Sequence, residues 1–480
     1  MEILFIISAF VIATLICLLS KRRGVIEFFS AAAAGIAFFE SILIALKVSV
    51  VGIYSSSVLF SVDSLGAIVT LIIGFIGFAT AIYSIQYLRQ ETAKGVIDFK
   101  KVKQYFILLN LFLLAMFLAT TASNPILAWI CIEATTLSTA FLISFYNKPS
   151  SMEAAWKYLI INSIGLLLAF FGTLLYFTSI SQAGSGGLIS WQLLLANASH
   201  LNPLLAKIAF IFALIGYGTK VGFAPMHTWL PDAHSKAPAP VSALLSGVLL
   251  NVALVIVLRF KAITDACVGH LFSQNLLIVL GLLSILIAAL IIFNQKNYKR
   301  LIAYSSIENM GIIALGFGFG GIGIFAAVLH MIYNAITKSA LFLSAGTIFL
   351  KYSSTKIAKV KGVLKALPVT GILFLVGFFT IMGTPPSGIF LTKVFILSAG
   401  FAAHPVVAVI ALLLIVILFA GFFKHVVAMV FGEKPEEITA GEGSIWLLIP
   451  PIVLLLTVLY LSFFIPPFLY KLINDVTLHY

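Results

Sequence analysis

Residues 219–240 read TKVGFAPMHTWLPDAHSKAPAP, two lysines, two histidines, an aspartate and four prolines set between two long apolar runs. Proline removes an intrahelical hydrogen bond and clashes with the preceding turn. A helix entering from residue 204 must therefore break near Pro225 or Pro231. Lys220 precedes that break, and His227, Asp232 and His234 follow it. The reading that decides the fold is whether a cation beside a broken helix lies inside a membrane.

Composition answers that it does. Of 480 residues, 61% are hydrophobic and 9% charged. Apolar runs of about 18 or more residues, repeated along the chain, predict an all-α polytopic membrane protein. Hydrocarbon offers the backbone no hydrogen-bond partners, so spans are helices or closed barrels. These runs are too long, and alternate too poorly, for barrel strands. We expect about 14 transmembrane helices, with cores at 3–20, 25–47, 65–88, 104–121, 125–146, 155–180, 204–232, 240–260, 274–294, 299–319, 322–350, 366–400, 404–431 and 445–470. The N-terminal MEILFIISAF lacks a basic leader and runs into Lys21-Arg22-Arg23, which reads as a retained first span.

The net charge of +13 is carried in loops. Loops after odd-numbered spans hold the clusters Lys21–Arg23, Arg89–Lys103, Lys296–Arg300 and Lys351–Lys365, whereas loops after even spans hold little beyond Lys47, Arg259 and Lys261. By the positive-inside rule the odd loops are cytoplasmic, both termini lie on the outer side, and the charge does not signal nucleic acid. The implied location is the cytoplasmic membrane. The cysteines Cys17, Cys131 and Cys267 are scattered and form no CxxC, so disulfide, zinc and iron–sulfur frameworks are not expected. His227, Asp232 and His234 are interrupted by Pro231 and lack the spacing of a zinc site.

A second break appears in IMGTPPSGIF, residues 381–390, five spans after the first. Paired interruptions at matching places in two blocks point to an ion path at mid-membrane. The chain then divides into helices 1–3 (1–103), a five-helix repeat of helices 4–8 (104–260), a second repeat of helices 9–13 (271–431) and helix 14 with a tail (445–480). An odd number of spans per repeat requires the two to be inverted.

Each charge at lipid depth costs about 2.5–3.5 kcal/mol on insertion scales, so each needs a reason. Glu133 lies mid-span in PILAWICIEATTLSTAFLI, Lys220 before the first break, and Lys393 after the second in SGIFLTKVFIL. Glu308, His330 and Lys338 lie in LIAYSSIENMGIIAL and LHMIYNAITKSALFL. The plain alternative is buried ion pairs that lock packing, or lysines that snorkel to headgroups. The chemical reading is proton relay. Burial disfavours a charge and a nearby opposite charge restores it, so a Glu–Lys pair that opens and closes changes proton affinity. Histidine titrates close to neutral pH and passes protons between such groups. His227 and Asp232 stand where protons enter from the cytoplasm, against the plain alternative of a surface turn. Nothing in the sequence reads as a redox active site, so its part is ion movement.

Those segments carry a resemblance. GTKVGFAPMHTWLPDAHSKAPAPVSALLSGVLL, NPILAWICIEATTLSTAFLISFY, SMEAAWKYLI, NYKRLIAYSSIENMGIIALGFGFGG and LHMIYNAITKSALFLSAG resemble the proton-translocating, antiporter-like subunits of respiratory complex I. That family includes large membrane subunits of multisubunit Na+/H+ antiporters and of energy-converting nickel–iron hydrogenases. The form SSIE…MGIIALGFGFGG looks most like hydrogenase-4 component F. The resemblance implies 14 helices in two inverted five-helix repeats, broken at helices 7 and 12, with Glu133 pairing with Lys220. Lys393 matches the charged residue of helix 12, and His330 and Lys338 fall in the motif of helix 11. It also implies sister antiporter-like subunits and a peripheral redox arm as partners, with no cofactor in this chain and nickel–iron and iron–sulfur clusters on the partners.

Three positions depart from the family pattern. Asn251, Asn309 and Asn334 stand where relatives often place lysine or histidine. Asparagine orders water but carries no proton. Three functions therefore stay open at the level of sequence: a proton- or sodium-translocating subunit of a redox complex, a subunit of a cation/proton antiporter assembly, or a scaffold with an impaired channel.

Overall fold

A computed structural model describes residues 1–180 and 189–480. The uncharged connection at 181–188 lies outside the described residues. Among the described residues, thirteen helices are long and apolar enough to cross a membrane. Two shorter ones, Pro368–Met382 and Gly388–Ala403, together make the twelfth crossing. The expected 14 crossings are present, and the spans below are numbered by them.

Span starts follow the local chemistry of helix N-termini, where unpaired amides need an acceptor. Asn124 accepts from the Leu127 amide with Pro125 next in the chain, and Asn202 accepts from Leu204 and Leu205 with Pro203 behind it. Asp98, Asn297 and Ser387 do the same for spans 4, 10 and the second half of span 12.

The bundle has a core and a rim. The apolar windows of span 8 (Ala239–Val268) and span 10 (Tyr298–Phe319) are wholly buried, and span 11 (Ile322–Tyr352) nearly so, whereas spans 1, 2, 6 and 13 bury well under half. The rim helices turn apolar faces to lipid, whereas polar groups on the central three find their partners within the protein. Helices approach closely where glycines meet. A Cβ on Gly216 of span 7 would lie 2.5 Å from the Gly165 carbonyl of span 6 (Pro149–Ile180), so only glycine permits that packing.

Both foreseen breaks are seen. Span 7 (Pro203–Lys236) runs as Pro203–Val221, turns at Gly222 with φ +87°, passes a 3-10 turn at Met226–Thr228 and resumes at Trp229–Lys236. Span 12 stops at Met382, turns at Gly383 with φ +78° and restarts after Ser387. Cis peptides occur at Ala224-Pro225 and Pro385-Pro386. With five crossings each, the blocks formed by spans 4–8 and 9–13 enter the membrane from opposite sides and are inverted.

Some features were not foreseen. Span 14 ends at Phe463, and a separate amphipathic helix, Pro467–His479, follows the prolines at 466 and 467. Residues 54–62 form a small hairpin between spans 2 and 3. A short helix at Trp191–Ala196 precedes span 7.

Candidate functional site

Each five-helix block carries one glutamate on its second helix and one buried lysine on its broken fourth helix: Glu133 and Lys220, then Glu308 and Lys393. The two couples are arranged differently.

In the second block the couple is closed. Lys393 Nζ lies 2.9 Å from Glu308 Oε1 and donates to the Met382 carbonyl at 3.2 Å. That carbonyl belongs to the last turn before the break, where the helix leaves acceptors unpaired. The break thus gives the ammonium a second acceptor. Both side chains are buried, Lys393 at 5% and Glu308 at 0% exposure.

In the first block the couple is bridged. Lys220 Nζ is fully buried and donates to Thr136 Oγ1 at 2.8 Å and Tyr158 Oη at 2.6 Å. Thr136 in turn donates to Glu133 Oε2 at 3.4 Å, and Ser163 donates to Oε1 at 3.2 Å. The expected direct pairing is replaced by a hydroxyl relay. Glu133 is also only half-buried, on the flank between spans 5 (Pro125–Ile143) and 6. Mid-span position in the sequence did not reveal which side of the helix it takes.

Between the couples runs a buried polar row. His330 Nε2 meets Asn309 Oδ1 at 2.9 Å, and His330 Nδ1 meets Thr392 Oγ1 at 2.8 Å. An amide oxygen only accepts, so Nε2 carries a proton. Asn309 also donates to Glu308 Oε2 at 3.3 Å. Asn309 therefore joins histidine to carboxylate rather than interrupting them. Lys338 Nζ donates to the Ile302 carbonyl at 2.8 Å and to Ser305 Oγ. Ser306 meets Ser246 at 2.7 Å. Ser246 sits in a π-helical turn at Leu245–Leu249 of span 8, a distortion frequent at functional sites.

Several atoms on this row are buried with no protein partner: both ring nitrogens of His234, both amide atoms of Asn334, Asn251 Oδ1 and Thr337 Oγ1. Buried polar atoms are ordinarily satisfied by protein or ordered water. Such a string on spans 7, 8 and 11 suits water. His234 stacks on Phe342 at 5.0 Å between centroids.

The two residues expected at the cytoplasmic mouth fare differently. Asp232 is held by Arg300 at 2.6 Å and Lys157 at 3.4 Å, so it ties spans 6, 7 and 10 together. His227 is 6% exposed, with Nδ1 unpartnered, and takes no part in those ion pairs.

Sequence reasoning passed over two groups. Glu91 is 2% exposed in the last turn of span 3 (Ser64–Ala93), and Lys299 is 4% exposed at the start of span 10. Both fall within clusters rich in basic residues and so read as loop. Asp63, just before span 3, caps that span and pairs with Arg259 at 3.0 Å. Burial alone pushes the Asp63 carboxyl up, but the charge and hydrogen bonds of Arg259 and the Gly66 amide hold it below the usual carboxylate range. Among the described residues, no group of three or more His, Cys, Asp or Glu is placed to hold a metal ion.

Residues 122–420 match the family described as NADH:quinone oxidoreductase/Mrp antiporter, TM. Residues 48–95 match the N-terminal segment of chain 5 of NADH-ubiquinone oxidoreductase, complex I. The chain is 40% identical over 411 residues to a hydrogenase-4 component F homolog of Methylacidiphilum infernorum, covering 85% of this chain and 86% of that one. It is 29% identical over 360 residues to hydrogenase-4 component B of Escherichia coli K12, covering 72% of this chain but only 52% of that longer protein. A chain of the membrane-bound sulfane sulfur reductase, an archaeal respiratory membrane complex, has the same fold with TM-score 0.87 at 22% identity, covering 100% of this chain and 96% of that one.

Proposed function

The chain belongs to the NADH:quinone oxidoreductase/Mrp antiporter membrane family, and on that premise we propose that it moves protons through the membrane as one subunit of a multisubunit redox complex of the hydrogenase-4 kind. The observation that carries this reading is the pair of Glu–Lys couples in two different arrangements, with a buried polar row that extends from the closed couple to span 8. Glu308 and Lys393 touch, whereas Glu133 and Lys220 are separated by Thr136. A carboxylate at hydrogen-bond distance stabilises an ammonium, and withdrawing it makes the ammonium release its proton more readily. Two couples that alternate between these arrangements drive protons along the row. In this path Glu133, Lys220, His234, Asn251, Glu308, His330, Lys338 and Lys393 act, with protons admitted near His227 and Asp232. Asn251 and Asn334 order water, and Asn309 links His330 to Glu308.

We assign the functional division along the same bounds: 1–103 as flanking helices, 104–260 and 271–431 as the two conducting repeats, and 445–480 as closing helix and tail. The lysine-rich loops after odd spans support a cytoplasmic face there, with both termini on the outer side of the cytoplasmic membrane. Redox groups, nickel–iron and iron–sulfur clusters in a hydrogenase, belong on partner subunits.

The test is the assembled complex in proteoliposomes with internal pH dye, electron transfer followed in parallel. Lys220→Ala is expected to abolish proton movement while the complex still assembles. Normal proton movement in that variant would leave the chain a scaffold.

A further inference from the structure

Glu91 is a buried carboxylate that neither Glu–Lys couple uses. Its Oε1 accepts from Tyr146 Oη at 2.6 Å, and Tyr146 Oη lies 3.2 Å from Tyr87 Oη. Its Oε2 is buried without a partner. Among the described residues no ion pair closes on it, unlike Glu27 of span 2 (Arg23–Val51), which Arg23 and Arg89 hold at 2.7 and 2.5 Å. The other groups that face it are Tyr83 on its own helix, Tyr105 on span 4 (Phe99–Thr121), Lys94 just after span 3, and Lys299 on span 10. A carboxylate ringed by phenols, with one bare oxygen, is a place to hold a proton rather than a structural clamp. An ionised carboxylate buried with so few donors is costly, and the free oxygen is where the hydrogen belongs.

A cleft of about 310 Å³ on the lysine-rich side is lined by Gln90, Lys94, Thr347 and Lys351; it reaches the turn of span 3 that carries Glu91, although Glu91 itself does not line it. On the inner side, the Lys299 amino group donates to the Ala237 carbonyl at 2.6 Å, where the second half of span 7 ends. It stands within electrostatic reach of both Glu91 and His234. His234, with two unpartnered ring nitrogens, is also within reach of the Lys338 charge.

We propose that Glu91, supported by Tyr146 and Tyr87, is the proton-receiving group of the lysine-rich face, passing protons through Lys299 to His234 and the central row. A proton from bulk water lands on Oε2. It leaves through water to the neutral Lys299 amine, which becomes an ammonium. Lys299 then gives a proton to a His234 ring nitrogen and returns to the amine, so each transfer restores its donor. The proposal rests on the proton-translocating reading and adds a second door beside the one at His227 and Asp232.

The experiment uses the assembled complex in proteoliposomes, with proton movement measured as the pH on the lysine-rich side is varied. Glu91→Gln keeps the shape and loses the titrating oxygen, Glu91→Asp keeps the acid, and Tyr146→Phe removes the supporting hydroxyl. Glu91→Gln is expected to slow proton movement at least tenfold and to flatten its dependence on intake-side pH, with unchanged assembly and melting temperature. Glu91→Asp is expected to retain most of the rate, and Tyr146→Phe to lose severalfold. Wild-type rate and pH profile in Glu91→Gln would overturn the proposal. So would equal loss in Glu91→Asp with a fall in melting temperature, which would mark a packing role. Lys220→Ala in the same preparation separates the two questions. If it blocks movement while Glu91→Gln does not, the intake route alone is wrong. If it does not block movement, the translocation reading is wrong.

Discussion

Replacing Glu308 by glutamine removes a charge while keeping the shape of the site. The carboxylate lies 2.9 Å from Lys393 Nζ, with both groups buried. At an effective dielectric of about 20, unit charges at this separation attract by about 6 kcal/mol. A glutamine oxygen still accepts from the ammonium, and a hydrogen bond to a charged group retains about 1.5–3 kcal/mol. Lys393 also keeps its bond to the Met382 carbonyl. The net loss is therefore about 3–4 kcal/mol of preference for the closed couple, more than a hundredfold in the balance of closed and open arrangements at about 1.4 kcal/mol per decade. With its oxygen turned to Lys393 the glutamine presents its NH2 to Asn309, so the 3.3 Å bond between them is lost, while Asn309 keeps its bonds to the Ser305 carbonyl and to His330. Glu308→Gln should thus assemble normally and slow proton movement by one to two orders of magnitude, with electron transfer slowed to match if the two are tightly coupled. Stopped-flow acidification of dye-loaded proteoliposomes reads the first, and substrate-driven electron transfer the second. A Glu308→Gln complex that pumps at the wild-type rate and stoichiometry would refute the reasoning, because the closed couple would then be packing only.

Three further outcomes test other parts of the row. Thr136→Val removes the hydroxyl between Lys220 and Glu133 at almost constant volume; with Tyr158 and Ser163 still holding their ends, it should slow proton movement severalfold and leave thermal stability within about 1 kcal/mol, as read by a melting scan in detergent. Asn334→Leu removes a buried amide without protein partners, so it should raise stability by about 1–3 kcal/mol while lowering proton movement; a fall in melting temperature would mean the amide is not a water site. Asp63→Asn strips Arg259 of its counter-ion and should destabilise by about 2 kcal/mol, below the roughly 3–5 kcal/mol of a fully buried pair because Asp63 is partly exposed. Since the Asp63 carboxyl titrates below its usual range, its contribution is present above about pH 4 and is lost as the pH falls through the lowered value. Melting temperatures of the wild type should therefore drop below about pH 4 more steeply than those of Asp63→Asn.

Much of the architecture was written in one dimension. Hydrocarbon must be crossed by about 20 apolar residues at a time, so run lengths alone counted the spans. Basic loops suggested orientation, prolines located both breaks at Pro225 and at Pro385-Pro386, and the cost of burying charge singled out Glu133, Lys220, Glu308, Lys338 and Lys393. These are local properties: each depends on a residue and its near neighbours in sequence. What packing alone decided is which atoms meet. The family resemblance paired Glu133 with Lys220, but the rotation of span 5 leaves Glu133 on the flank and sets Thr136 between them. Asn309 read as a broken relay, yet the juxtaposition of spans 10, 11 and 12 makes it the link between His330 and Glu308. Glu91 and Lys299 read as loop charges until the helices closed over them. Helix periodicity constrains which residues share a face, but not which distant helix that face meets. Hydrogen bonds are decided over a few ångströms, and that distance is set only when spans far apart in the chain pack together.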